Sequence, residues 1–437
     1  MSKSSGNRIV IGLTGSFGSG CSTLGDGLAG AGFKVISLSK IVHDIWEERN
    51  PDKPPESAPR RELQSIGNEL RREKGNSYLA DIALKEVASP RVEEDKLVFD
   101  SIRHTEEVEV FRRSFPDFIL ITVISSLDER WARLSGKYES QHLTRRDFLE
   151  DDERDTNEDI SYGQQVRLCV DNADIAITSD KHFAPEHARK SELRKKAEPL
   201  IRLLTGEDVR PPSPWEYMMV AAYAQALSSK CYKRQVGALI HDENGIVLGV
   251  GCNHNPSPLD PCHSQYGECY RDIYKRELFE DLKKNAHCPK CGLPLNGNLS
   301  ADYKCKGKDC GFDVDRYYVR DRALSRCTAL HAEEAAIINA GGKNLEGCSM
   351  YTTTFPCFLC VQRIIGSGIK EVVYCEPYPD PDAAILIQDV NERFRNLGQQ
   401  EIKVYPFEGI KARAYFRVFG GWRRQQEKII DEKRRMA

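Results

Sequence analysis

Near the C-terminus two short motifs set four chemically demanding side chains close in sequence but not adjacent. His331-Ala332-Glu333 opens one segment and Pro356-Cys357-Phe358-Leu359-Cys360 opens another. One His and two Cys are the kind of donors that Zn²⁺ takes when its fourth position stays open to water. Such a set constrains the fold, because donors from two segments must converge on one point. The local patterning supplies a way. Leu330 to Ala340 is Ala-rich, with apolar residues at helical spacing, and stops at Gly341-Gly342. Cys357 to Ile365 reads as a second helix with Pro356 just before it, and Ser349 to Thr354 as a strand between them. Two helices on one side of a sheet would bring His331, Cys357 and Cys360 together at their N-termini, where partial positive charge favours thiolate. Glu333 is not needed as a ligand, which leaves its carboxylate free to move a proton. A buried His with two structural Cys is the plainer alternative.

The 437 residues are enough for two or three domains. A net charge of −3 argues against a chain whose main work is holding nucleic acid by its phosphates. No apolar run is long enough to span a bilayer and no apolar leader opens the chain, so the expectation is a soluble, cytoplasmic protein without a membrane partner. Fifteen Cys in such a chain point to metal ligands more than to disulfides. The pattern breaks in a Pro-rich stretch from Thr205 to Pro214. The expected organisation is a first domain over 1–205, a linker over 206–214 and a second domain over 215–437.

The first half opens with a strand, Arg8 to Thr14, followed by Gly15-Ser16-Phe17-Gly18-Ser19-Gly20-Cys21-Ser22-Thr23 and a helix. This matches the phosphate-cradling loop G-x-x-x-x-G-K-[ST] at both glycines and at the hydroxyl residue. Cys21 stands where the Lys belongs. Gly15, Gly18, Gly20, Cys21, Ser22 and Thr23 are the candidate nucleotide-binding residues, a glycine turn without ligand being the alternative. Strands expected at 33–37, 96–99, 118–123 and 173–177 alternate with helices at 61–74, 77–87, 105–115 and 144–154, which predicts a parallel sheet covered on both faces. With Gly12-Leu13-Thr14-Gly15, Val98-Phe99-Asp100-Ser101-Ile102-Arg103 and the charged segment Asp151 to Asp155, this half resembles the P-loop kinases of nucleoside monophosphates and of dephospho-coenzyme A. By that resemblance Lys40 stands where those kinases carry an acceptor-side Asp. With two such departures, the resemblance implies a degenerate kinase fold that senses ATP or another nucleotide as an effector.

The second half begins with a helix over 215–228 and two strands, 235–241 and 245–251, joined by Asp242-Glu243-Asn244-Gly245. H-x-E followed by P-C-x-x-C is the signature of zinc-dependent cytosine and adenine deaminases. With Gly251-x-Asn253, Cys269-Tyr270-Arg271-Asp272, Cys327-x-x-x-His331, Tyr351-Thr352-Thr353 and Gly368-Ile369-Lys370-x-Val372-Val373-Tyr374, this half resembles the deoxycytidylate deaminases within the cytidine deaminase superfamily. The resemblance implies an α/β/α fold on a five-stranded mixed sheet. It also implies a substrate-contacting Asn253, an Ala332 backbone N–H facing the pyrimidine carbonyl, and a Tyr378 stacked near the base. An insertion at about 286–312 carries Cys288-Pro289-Lys290-Cys291 and Cys305-x-x-x-x-Cys310, which read as a structural Cys₄ zinc ribbon. Cys262, His263, Cys269 and Cys327 read either as buried residues near the active site or as another metal set.

The whole reads as a zinc-dependent hydrolase that converts deoxycytidine nucleotides, dCTP or dCMP or both, to deoxyuridine nucleotides, with Glu333 as proton shuttle. A kinase-like half fused to such a deaminase resembles the bacterial antiviral deaminases that deplete dCTP, commonly as homo-oligomers. That resemblance leaves room for an inhibitory RNA or protein partner. The rival readings are a polynucleotide deaminase acting on single-stranded DNA or tRNA, a housekeeping dCMP deaminase serving dTTP synthesis, and a regulator without catalysis.

Overall fold

The structure is a computed structural model, and it describes residues 8–87, 95–141, 143–156, 160–179, 186–300, 304–308, 310–312, 314, 326–377 and 380–420. Eleven strands are described: β1 (Ile9–Thr14), β2 (Lys34–Ser37), β3 (Lys96–Asp100), β4 (Ile119–Ile124), β5 (Ile175–Thr178), β6 (Gly237–His241), β7 (Val247–Cys252), β8 (Ser349–Thr354), β9 (Glu371–Glu376), β10 (Lys403–Pro406) and β11 (Gly409–Ile410). By Cα proximity the chain divides into two compact units. One contains residues 1–221, 354–358 and 371–437, the other 222–353 and 359–370.

In the first unit the strands run β11-β5-β4-β1-β3-β2. The five from the N-terminal half are parallel. β4 reads Ile-Leu-Ile-Thr-Val-Ile and is buried at every position, as a strand covered on both faces must be. One apolar layer, with Trp46, Phe99, Phe111 and Leu120, lies on one face, and another, with Leu13, Leu24, Val98, Ile121 and Leu200, on the other. The expected elements at 33–37, 96–99, 118–123 and 173–177 are there as β2 to β5.

β11 is the element that the sequence does not announce. Two residues long, it lies antiparallel on β5, with Gly409 opposite Ala176 and Ile410 opposite Ile175. Polar anchors hold it on both sides. The Ile410 N–H donates to Glu216 at 2.9 Å, and Glu216 also takes a two-pronged ion pair from Arg210. Lys411 is buried and donates through Nζ to the Val170 carbonyl and through its backbone to Asp174 at 2.9 Å. Glu408 accepts from the Thr178 hydroxyl at 2.6 Å and from Lys196 at 2.8 Å.

The second sheet is five-stranded and mixed, in the order β10-β9-β8-β6-β7. β6 and β7 form the expected hairpin. Its turn closes through the Asp242 side chain, which accepts from the N–H groups of Asn244 and Ile246 at 2.9 Å, and Gly245 takes a φ of 77°. Upon β7 lies the helix Ala332–Asn339. A Cβ on Gly251 would stand 2.5 Å from the Ala336 nitrogen and 2.6 Å from the Ala332 carbonyl, so helix and strand touch backbone to backbone. Glycine is required there for closeness, and that closeness sets where His331 and Glu333 stand.

Candidate active site and phosphate-binding loop

His331 is the N-cap of the helix Ala332–Asn339, so its side chain projects at the helix start and Glu333 follows within the first turn. Cys360 comes from the first turns of the helix Phe358–Ser367, with Cys357 just before it. The donor atoms of His331, Cys357 and Cys360 all lie within 4.8 Å of one another. His331 Nδ1 is 3.2 Å from Cys360 Sγ. A tetrahedral Zn²⁺ with bonds of about 2.0–2.3 Å asks for ligand pairs roughly 3.6 Å apart, so this soft, deprotonatable set fits the ion. Glu333 is buried, its Oε1 accepting from the Thr352 hydroxyl at 3.3 Å and its Oε2 standing 3.4 Å from Cys360 Sγ. The carboxylate is thus held beside the donor set without belonging to it. A cavity of about 170 Å³ opens there, lined by Cys327, Leu330, His331, Glu334, Cys360 and Arg363.

Ala332 is the first helical residue and is buried. Its N–H is one of those that a helix start leaves without an intrahelical acceptor, as an oxyanion-facing donor needs to be. Asn253 spends its side chain on the backbone. Its Oδ1 accepts from the Val236 N–H and its Nδ2 donates to the Arg234 carbonyl, both at 2.8 Å. It therefore shapes the segment 234–236, with one amide N–H left over for another acceptor. Tyr378 lies outside the described residues.

The second donor set is Cys288, Cys291, Cys305 and Cys310, all within 4.8 Å of one another. Cys288 to Cys310 and Cys291 to Cys305 are each 3.6 Å between sulfurs, too far for disulfides and close to the edge of a zinc tetrahedron. Burial pushes the Cys288 thiol up, but the N–H groups of Cys291 and Lys290 outweigh it and bring it down to about 7. A small core of Phe279, Leu282, Leu295 and Val314 packs behind the four sulfurs. Cys262, His263, Cys269 and Cys327 line an adjoining cavity of about 680 Å³, which shares Cys327 with the first, together with Lys230 and Tyr232. Among the described residues, only the two sets above bring three or more such donors within 4.8 Å.

The glycine-rich loop sits between β1 and the helix Cys21–Ala29. Gly18 and Gly20 take φ of 79° and 110°, backbone that L side chains avoid. Gly15 is hemmed in by the Val123 carbonyl and the Ser19 hydroxyl. Cys21 opens the helix, and burial, with the negative charge of Asp100, pushes its thiol up to about 12. That shift favours the uncharged thiol, which offers a phosphate no positive charge. Ser22 donates to Asp100 at 2.9 Å, the pair of residue types with which P-loop proteins hold Mg²⁺. Thr23 is half-buried in the first turn, and Lys40 is exposed on the helix Leu38–Arg49. Two residues that the sequence reading did not single out also grip the loop. Arg133 donates to the carbonyls of Gly18 and Ser19 at 3.0 and 3.1 Å, and Arg130 to that of Phe17 at 3.1 Å. Both lie on the helix Leu127–Ser140, and no short motif marks them.

Residues 212–376 match the family model of the cytidine and deoxycytidylate deaminase zinc-binding region. The chain is 29% identical over 168 residues to deoxycytidylate deaminase of Saccharomyces cerevisiae, covering 38% of this chain and 39% of the yeast protein. It is 28% identical over 170 residues to deoxycytidylate deaminase of Homo sapiens, covering 39% of this chain and 68% of the human protein. The matched part thus spans well under half of the yeast relative. Among solved structures, a gluconokinase from Sinorhizobium meliloti aligns over 46% of this chain and 98% of its own, at 14% identity and a TM-score of 0.28. The matched region contains His331, Glu333, Cys357 and Cys360, so family match and donor set fall on the same segment.

Proposed function

We propose that this protein deaminates deoxycytidine nucleotides, dCMP or dCTP or both, to the corresponding deoxyuridine nucleotides. The observation that carries the reading is the placement of the buried Glu333 carboxylate beside the donors of His331, Cys357 and Cys360, within the region that matches the deaminase model. Zn²⁺ held by those three residues would supply an activated water at neutral pH. Glu333 would take one proton from the attacking water as its oxygen bonds to C4 of the cytosine ring, and pass it to N3. It would then take the second proton from the new C4 hydroxyl and pass it to the amino group, so that the C4 carbonyl forms as the C4–N bond breaks and ammonia leaves with uracil as product. The Thr352 hydroxyl keeps Glu333 in the orientation this needs, by its 3.3 Å bond to Oε1. Burial excludes bulk water from the carboxylate, so the proton is returned to the substrate.

Deoxycytidylate is the substrate for which the yeast and human relatives are named, which supports this reading. The division of labour we propose is a P-loop module over 1–205, a linker over 206–214 and a deaminase module over 215–437 with its Cys₄ ribbon. In that arrangement the P-loop module senses a nucleotide and regulates deamination, the chain works as a homo-oligomer, and its role is depletion of dCTP against viruses. Support for the sensing role lies in the glycine loop that keeps its phosphate-cradling form while Cys21 replaces the Lys.

The test is deamination of dCMP, dCDP, dCTP, CTP and a cytosine-containing oligonucleotide by the zinc-loaded protein, with and without ATP. Conversion of dCMP or dCTP is expected, and a change in rate with ATP is expected from the sensing role. Conversion of the oligonucleotide alone would overturn the free-nucleotide reading, and insensitivity to ATP would remove ATP as the effector.

A further inference from the structure

The P-loop lysine contacts the β- and γ-phosphates of a nucleotide, and this chain has a neutral thiol in its place. Some other cation must meet those phosphates if the loop is to hold them. The turn that follows β3 offers one. Asp100 ends β3, and Ser101 comes next with φ 68°, the one non-glycine residue in the left-handed region among the described residues. Such a conformation costs of order 1 kcal/mol or more and persists where the surroundings impose it. The Ile102 N–H donates to the Leu13 carbonyl at 3.0 Å and the Thr14 hydroxyl to the Ile102 carbonyl at 2.9 Å. The turn is thereby fastened to the end of β1, directly before Gly15, and Arg103 follows it.

Arg103 donates through Nη1 to Asp155 at 3.0 Å, and Arg60 is ion-paired to the same carboxylate. Gln64 occupies the other oxygen of Asp155 at 2.6 Å. Two guanidiniums therefore share one buried negative charge. Arg60 also stands 4.3 Å from the ring centre of Phe17, which is itself a loop residue. Arg60 and Arg103 line one small cavity with Ser39, His43, Ser101 and Gln164. Nearby groups register the surplus positive charge. His43 is held down first by burial and then by Lys137 and Arg60. On the loop side, the charge of Arg103 lowers both Cys21 and Asp100 against the rise that burial imposes. Asp100 is itself buried, and its Oδ1 has no hydrogen-bond partner among the described residues, an oxygen left over beside the Ser22 hydroxyl.

We infer that Arg103, presented by the strained turn after β3 and backed by Arg60, supplies the positive charge that Cys21 lacks. The P-loop half then binds a polyphosphate chain without the residue that serves phosphoryl transfer. The inference rests on the reading of this half as a nucleotide-binding module and adds the residue that makes such binding electrostatically sound. Arg103 here is a binding residue. Its fork of donors suits phosphate oxygens better than the point charge of a lysine.

The experiment is calorimetric titration of the full zinc-loaded chain with ATP and with inorganic tripolyphosphate, each with Mg²⁺. Arg103→Gln is expected to weaken both probes by at least about tenfold, the loss of one charge-assisted contact. Cys21→Lys placed in that background returns the lost charge from the opposite side and is expected to restore binding to within about threefold. Purely structural damage would not be repaired that way. If the chain with Arg103→Gln does not fold, Arg103→Lys keeps a cation beside Asp155 while removing the fork of donors, and binding of both probes weaker by at least about threefold is expected. Unchanged affinity in the Arg103 variants, or loss that Cys21→Lys does not restore, overturns the role of Arg103. Failure of the unaltered chain to bind either probe overturns instead the nucleotide-binding reading on which the inference stands.

Discussion

In the proposed reaction Glu333 is the residue on which the chemistry turns. Its carboxylate is buried beside the donor set, and the relay proposed for it is not a ligand bond, so removing it should separate metal binding from catalysis. Glu333→Ala is expected to keep the zinc content measured by elemental analysis while deamination falls by about 10²–10⁴-fold, the usual worth of a positioned acid–base group. Loss of zinc together with activity would show that the carboxylate holds the metal. Asn253 teaches a second lesson at this scale. The motif Gly251-x-Asn253 is legible, but a side-chain amide serves a substrate or a loop equally well in sequence. The two 2.8 Å bonds to segment 234–236 come from how β6 and β7 approach each other.

Among the elements, the helix Ala332–Asn339 depends on what lies under it. Its backbone rests on Gly251, and an added methyl would stand 2.5 Å from the Ala336 nitrogen. Gly251→Ala is therefore expected to lift the helix, cost about 1–3 kcal/mol, and slow turnover by about a hundredfold as His331 and Glu333 move off position. Thermal melting and initial rates check both parts, and an unshifted melting point would mean that the helix yields freely. The Cys₄ ribbon is separable from this. Cys305→Ser should lower zinc from about two ions per chain to about one, because a Cys₄ site closes only with all four thiolates. The remaining ion stays with His331, Cys357 and Cys360, and retained stoichiometry would refute the ribbon as a metal site.

At the scale of the first unit, the last strand of the parallel-dominated sheet comes from residues 409–410, far along the chain from its neighbours. Glu216 is central to its attachment. Burial alone would raise its pKa, but the bonds from Arg210 and from the N–H groups of Ile410 and Ser213 more than offset that and lower it. A carboxyl with a folded-state pKa below its unfolded value stabilises above the unfolded value of about 4.5, and that stability disappears as pH falls through the lower, folded value. The unaltered protein should thus exceed Glu216→Gln in stability near pH 7, by about 1–3 kcal/mol given the partial exposure of Arg210, and the gap should close as pH falls below about 4.5. Melting curves across pH would reveal a constant gap if the carboxylate charge has no part. A fragment of residues 1–205 would leave the edge of β5 unpaired, and it is expected to melt lower and aggregate more readily than the whole chain.

What the sequence determined by itself is whatever depends on near neighbours along the chain. The spacing of His331, Cys357 and Cys360 carried one donor set, the cysteine pairs carried the other, and apolar runs such as Ile119–Ile124 carried the parallel sheet, because ligand type and hydrophobic period are local properties. Tertiary structure alone decided the rest. Arg130 and Arg133 on the glycine loop, the pairing of Arg103 with Asp155, and the two-residue strand tied to β5 all join residues separated by dozens to hundreds of positions. Single arginines and a Gly-Ile pair carry no period and no spacing. Their partners are chosen by which buried carbonyls and carboxylates the folded chain leaves to be satisfied, and that requirement exists only once the sheets have formed.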